Sequence, residues 1–320
     1  MDKALKIWLI VAAALVVSGG LAFVGAMAAA GWDFSKLSTN EYETNRYEIE
    51  EAFTAISVDT DTADITLVPS ADGTCRVVCE ERENAKHTVS VQDGVLKVKV
   101  DDTRKWYEYI GIWVRSQKIT VYLPEEEYGA LSVKSDTGRV AIPENFRFES
   151  IAVSERTGEV FCRASAAGGI RITATTGRVH VEGAMADSLF VEVSTGDVTV
   201  KDVMCNGDIT VKVTTGDANI VSTTCKNLYS DGSTGDLSMK DVIASENFSL
   251  ERSTGDVEFE RCDAAALFVE TDTGDVEGSL LSKKVFITKT DTGRVRVPSS
   301  SGGGRCEITT DTGDIKITVK

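Results

Sequence analysis

Five aspartates, Asp197, Asp217, Asp236, Asp256 and Asp275, recur every 19 or 20 residues, each directly after a Thr-Gly pair. Stacked in one column they would offer the hard oxygen donors that calcium takes in numbers, at about 2.3–2.6 Å. Two features speak against a calcium site. Calcium-binding β-helix repeats use a Gly-rich nine-residue unit, which this chain lacks, and no second acidic column adjoins the first in every repeat. A turn aspartate has a structural use as well, because its carboxylate accepts hydrogen bonds from nearby backbone N–H groups. The column is therefore expected to be structural, with no bound metal and no cofactor.

Other chemistry-bearing residues are sparse. The two histidines are His87 and His180, and His180 falls at an outward position of a repeat strand. No Gly-x-Ser-x-Gly elbow, His-Glu-x-x-His pair or phosphate loop is present. No catalytic residue is expected. Seven cysteines are an odd number. Cys162 and Cys306 take inward positions as small apolar fillers. Cys205 and Cys225 hold equivalent places on adjacent repeats, within reach of a disulfide if stacked. Cys75 and Cys79 face one side of a strand, at a spacing that makes no zinc pattern. One segment stands out for contact: Trp106, Tyr107, Tyr109 and Trp113 lie within eight residues. Exposed, they would form a platform for protein or glycan; buried, they would plug the end of a core.

The element that positions these residues is a repeat. Thr-Gly recurs with Gly at 138, 158, 177, 196, 216, 235, 255, 274, 293 and 313. Such regularity marks one unit stacked on itself. Two after each Gly stand Val140, Val160, Val179, Val198, Ala218, Leu237, Val257, Val276, Val295 and Ile315, all apolar. The positions seven before are apolar too, and those five before are apolar except at Ser230 and Thr288. Spacing by two on each side of the Gly is the strand period. The period slips at Thr-Gly, which marks one dominant corner where glycine supplies backbone freedom. Equivalent residues at equivalent positions favour a single-stranded β-helix, an all-β solenoid of about ten or more rungs of 19–20 residues, over a meander.

Before the repeats, Ile7 to Ala30 run without a charge. As a helix they reach about 36 Å, enough for a hydrocarbon core of about 30 Å. Lys3 and Lys6 precede the run, which places the N-terminus in the cytoplasm and the remainder outside. Ala28-Ala29-Ala30 also resembles a signal-peptide cleavage site; the length of the run favours a retained anchor. The organisation expected is 1–31 anchor, 32–46 tether, 47–124 irregular cap and first rungs, and 125–320 regular solenoid, whose last rung ends at Lys320 with little cover. Ile56–Ile65 reads as a degenerate first copy, with Ala63 in place of the Gly. Without Lys3, Lys6 and Asp2 the exported part has 32 basic and 49 acidic residues, a net charge of −17. Such a rod repels nucleic acid and anionic membrane.

These features resemble a bacterial family of envelope domains called "putative adhesin". The matching residues are the Ile56–Ile65 opening, Val121-Tyr122-Leu123-Pro124 followed by Leu131-Ser132-Val133, the serial Thr-Gly-Asp-Val units, and the anchor running into Trp32-Asp33-Phe34. The resemblance implies a single-stranded β-helix of unassigned biochemical role, with some members linked to envelope stress, and carries over no functional residue. The expected function is a membrane-anchored, extracytoplasmic, non-enzymatic interaction or scaffold protein. Its partner would be a protein or a cell-wall glycan, and its membrane contact residues 7–30. The alternatives are a calcium-stabilised secreted repeat protein and a glycan-active β-helix enzyme; rungs this short leave no room for the long loops such enzymes use.

Overall fold

The computed structural model describes residues 3–29, 31–32, 42–102, 116–299 and 302–320. The first element is a helix, Lys3–Ala29. Ala, Leu and Val dominate it, and no proline interrupts it. Its side chains from Leu5 onward are exposed almost throughout, and the most apolar 18 residues within Leu5–Ala29 have a mean hydropathy of 2.5. It is long and apolar enough to cross a membrane.

The rest is an all-β solenoid. One rung shows how the sequence makes it. Ser188–Thr195, Val198–Lys201 and Met204–Cys205 form three faces. Leu189, Val191, Val193, Val198, Val200, Val203 and Cys205 point inward and are buried. Burying each aliphatic side chain contributes about 1.5–3 kcal/mol. The corner after Thr195 is Gly196, with φ at 132°. A Cβ on Gly196 would lie 1.8 Å from the Gly177 carbonyl oxygen of the rung below. The glycine column therefore exists for stacking as well as for turning, since each rung's carbonyl sits where the next rung's Cβ would be.

The chain has a second corner that the sequence pattern did not announce. Six residues after the repeat Gly, Asp202, Ser222, Asp241 and Arg261 all take left-handed conformations, with φ between 48° and 54°. Aspartate tolerates this region better than most residues because its short side chain bonds locally; Arg261 is held there by a two-pronged contact to Asp241 in the rung below, at 2.5 and 2.7 Å.

Rungs stack parallel and in register: Leu189 lies against Ile209, Ile209 against Leu228, Leu228 against Phe248, and Phe248 against Leu267. Both ends depart from chain order. At the N-terminal end, Ala55–Pro69 pairs with Glu127–Ile142 on one side and with Val95–Asp102 and Gln117–Leu123 on the other. Antiparallel strands close this end: Ala85–Gln92 pairs with Val95–Asp102, while Cys75–Arg82 pairs with Gln117–Leu123 and Tyr42–Ile49. The described strand Tyr42–Ile49 thus lies partly inside the stretch expected as tether.

At the other end the chain's last rung is interior. Gly304–Thr312 sits between Ala266–Thr273 and Lys284–Thr292, and Ile315–Val319 lies between Val276–Leu280 and Val295–Arg296. This corrects the expectation that the rung ending at Lys320 forms the poorly covered edge. Residues 284–296 form it instead. Their Val285, Ile287 and Val295 are 40–48% exposed, interspersed with Lys289, Asp291 and Arg294, charges of the kind that discourage unwanted pairing at an edge.

Candidate functional site

The aspartate column runs along the Gly196-type corner. Each carboxylate Oδ1 accepts the backbone N–H of the residue after the Gly one rung on: Asp217 N donates to Asp197, Asp236 to Asp217, Asp256 to Asp236, and Asp275 to Asp256, at 2.8–3.1 Å. Asp314 N donates to Asp275 and Arg294 N to Asp314, following the spatial rung order. The bonds run between rungs, not within a turn. They place each carboxylate on a positive backbone dipole, which offsets the like-charge repulsion of a stacked column. The aromatic residues Trp106, Tyr107, Tyr109 and Trp113 lie outside the described residues.

Two exposed ion-pair ladders cross the outer face: Arg139–Glu159–Arg178, and Arg163–Glu182–Lys201, with contacts of 2.5–2.9 Å. Beside them the Phe161 and His180 rings stack at 4.9 Å with 5° between planes. These cations hold Glu159 and Glu182 below the usual carboxylate range, chiefly through hydrogen bonds from Arg139 and Lys201 respectively.

The interior carries polar chemistry that sequence reasoning missed. The position three before the repeat Gly faces inward, yet holds Ser135, Glu155, Gly232, Arg252, Thr271 and Thr310, and Thr60 in the degenerate copy. Arg252 is 4% exposed. It donates from Nη1 to the Glu251 carbonyl and from Nη2 to Ser230 Oγ. Burial lowers its pKa. Gly232 in the adjacent rung leaves the guanidinium its space, since a Cβ there would come within 2.9 Å of Nη1. The exception at Ser230 is thereby explained: it is the partner of a buried arginine. Glu155 is 2% exposed, and neither carboxylate oxygen meets a hydrogen-bond donor in good geometry. Burial pushes its pKa up to about 7, against a weaker opposing pull from the Ser135 hydroxyl and the Thr157 N–H.

A second buried group lies in the N-terminal cap. His87 Nδ1 is 2.6 Å from Glu81 Oε2, and His87 Nε2 is 2.8 Å from Thr60 Oγ1. Asn45 Nδ2 donates to Glu81 Oε1 at 2.8 Å, and the His87 backbone N–H donates to Oε2. Tyr47 donates to the His87 carbonyl; burial, then Glu81, raises the tyrosine's pKa. The order hydroxyl–imidazole–carboxylate is that of a hydrolytic triad, but Thr60, His87 and Glu81 are 3%, 2% and 0% exposed. No substrate reaches the Thr60 hydroxyl in this conformation.

All seven cysteines are free and buried. Burial pushes the Cys79, Cys162, Cys225 and Cys306 thiols up to about 12, which leaves little thiolate for nucleophilic or redox chemistry. Several surface concavities among the described residues are open grooves. One, of about 450 Å³, is lined by Met239, Phe259, Glu277, Gly278 and Lys316, where the missing Cβ of Gly278 makes room for the Phe259 ring.

A model of the family described as Toastrack DUF4097 matches residues 53–225 and 206–320. No curated protein matches the chain. Among solved structures, a "putative adhesin" from Bacteroides fragilis NCTC 9343 is 15% identical, with 87% of this chain and 97% of that chain covered and a TM-score of 0.42. A "putative adhesin" from Parabacteroides distasonis ATCC 8503 is 12% identical over 87% of this chain and 98% of that one, with a TM-score of 0.38. A "Putative lipid binding protein" from the same organism is 13% identical over 88% and 98%, with a TM-score of 0.31.

Proposed function

The chain belongs to the Toastrack DUF4097 family, and from that premise we propose that it is a membrane-anchored, non-enzymatic interaction or scaffold protein of the cell envelope. The observation that carries this reading is the exposed apolar helix Leu5–Ala29 leading into a rigid rod. Apolar surface on this scale is stable in lipid and not in water. Lys3 and Lys6 bias the N-terminus to the cytoplasm, so the solenoid stands outside. Each rung adds about 4.8 Å of reach. The open grooves on the solenoid suit an extended partner, a protein or a cell-wall glycan, better than a small substrate. The buried hydroxyl, imidazole and carboxylate groups support a binding role over catalysis.

Topology and integrity of the anchor are tested together. Protease added to intact protoplasts should degrade the solenoid, and the mature protein should still yield a peptide containing Lys3. A rod protected until the cells are lysed, or a mature N-terminus at Gly31, would overturn the reading. Crosslinking in intact cells then identifies the partner.

A further inference from the structure

The cap contains three donors of different chemistry that the proposed envelope role does not use. Cys79 and Glu81 stand two apart on Cys75–Arg82 and therefore face the same side. His87 lies on the antiparallel strand that follows, Ala85–Gln92. The Cys79 sulfur, a Glu81 carboxylate oxygen and a His87 ring nitrogen all lie within 4.8 Å of one another. Cys79 and Glu81 are 0% exposed and His87 2%.

The surroundings are those of a metal site. A ligating imidazole is normally oriented through its second nitrogen, and a ligating carboxylate through its second oxygen. Here His87 Nε2 is engaged by Thr60 Oγ1, and Glu81 Oε1 by Asn45 Nδ2. His87 Nδ1, Cys79 Sγ and Glu81 Oε2, which also accepts the His87 backbone N–H, are left close together. Without an ion, the 2.6 Å contact is an Nδ1–H donating to Oε2, with the Thr60 hydroxyl donating to Nε2; a bound ion would take the place of that Nδ1 proton, with the two ligand atoms moving apart to admit it. A thiolate and a carboxylate together neutralise a divalent ion, so the filled site would bury no net charge. Sulfur, nitrogen and a single carboxylate suit zinc and disfavour calcium or magnesium, which take oxygen donors.

We propose that Cys79, Glu81 and His87 bind one zinc ion that fastens the antiparallel cap to the first rung. The residues come from two cap strands, and the orienting groups from two more, Tyr42–Ile49 and Ala55–Pro69. The ion would tie all four together at the end of the core where stacking stops. Binding displaces the thiol proton and seals the cluster, a structural role, since the site has no opening for substrate.

The test uses the full-length protein in detergent. After purification in zinc-containing buffer and desalting, elemental analysis should find about one zinc per chain. Chelator should lower the melting temperature by several degrees, and one equivalent of zinc should restore it. Cobalt should give a thiolate-to-metal charge-transfer band in the wild type and in Cys75→Ala and His180→Ala, but not in Cys79→Ser. His87→Ala should weaken zinc binding at least tenfold. If that variant does not fold, the Cys79→Ser and Cys75→Ala cobalt spectra decide. Absence of both zinc and a cobalt–thiolate band in the wild type overturns the proposal. So does equal binding by Cys79→Ser and the wild type, which would place the metal elsewhere.

Discussion

The substitution Glu155→Gln should make the protein more stable at pH 8 and remove a pH dependence, although it deletes a charge from a folded core. The side chain lies inward on Arg147–Cys162, between Ser135 of one neighbouring rung and Ala174 of the other. Burial raises its pKa from 4.5 to about 7, and the carboxylates of Asp136 and Asp64 add to the rise. Arg156, next in the chain, is committed to Asp136 at the surface. Below about pH 4.5 the glutamate is protonated whether folded or unfolded and contributes no difference. As pH rises, the unfolded chain releases the proton first, so the folded state loses stability through the interval from about 4.5 to 7 and stays at the lower value above it. At about 1.36 kcal/mol per tenfold change in proton affinity, the loss is about 3 kcal/mol. The amide of the variant carries no such charge, so the stability difference between variant and wild type should grow from near zero at pH 4.5 to about 3 kcal/mol in the variant's favour at pH 8. Urea unfolding of both full-length proteins across that range measures it, and subtracting the curves cancels every other titrating group. A flat difference, or a variant that is less stable at pH 8, would refute the reasoning. Either outcome would mean that the carboxylate is ionised and well solvated within the rod.

The glycine column offers a contrast between two positions. Gly216→Ala would place a Cβ 2.1 Å from the Gly196 carbonyl oxygen at a φ of 132°, whereas Gly183 has a φ of 68° and nothing within 4 Å. The first change should cost about 3 kcal/mol or more and the second about 1 kcal/mol, read as shifts of the urea midpoint; equal costs would mean that rung stacking does not hold the corner. For the aspartate column, Asp217→Asn with Asp236→Asn keeps Oδ1 as an acceptor and should lower stability by about 1 kcal/mol or less. Millimolar calcium should leave the melting temperature of the wild type nearly unchanged, and a rise of many degrees that the double variant abolishes would make the column a calcium site.

Much of the architecture was legible because it follows from local period. Val198, Val200 and Leu189 declare their inward direction by spacing from Gly196, and the same offsets hold in most rungs. The uncharged run from Ile7 declares the helix in the same way. The inward polar column was half legible: Glu155 and Arg252 have the right parity for the core, but a pattern scan reads them as outward because their chemistry is polar. The reason for Arg252 lies on other rungs, in Ser230 and the space over Gly232.

What the sequence determined by itself is the rung, its apolar faces and its glycine corner, because strand alternation and a turn are fixed by residues a few positions apart. What the tertiary structure decided is which rung lies on which. Every repeat offers nearly the same pairing surface, so the period is equally consistent with Gly304–Thr312 resting on Lys284–Thr292 alone or slipping between it and Ala266–Thr273, as it does. The same holds for the cap, where Asn45, Thr60, Cys79, Glu81 and His87 converge from four strands. That meeting depends on antiparallel pairing between segments far apart in the chain, and no spacing between neighbouring residues encodes it.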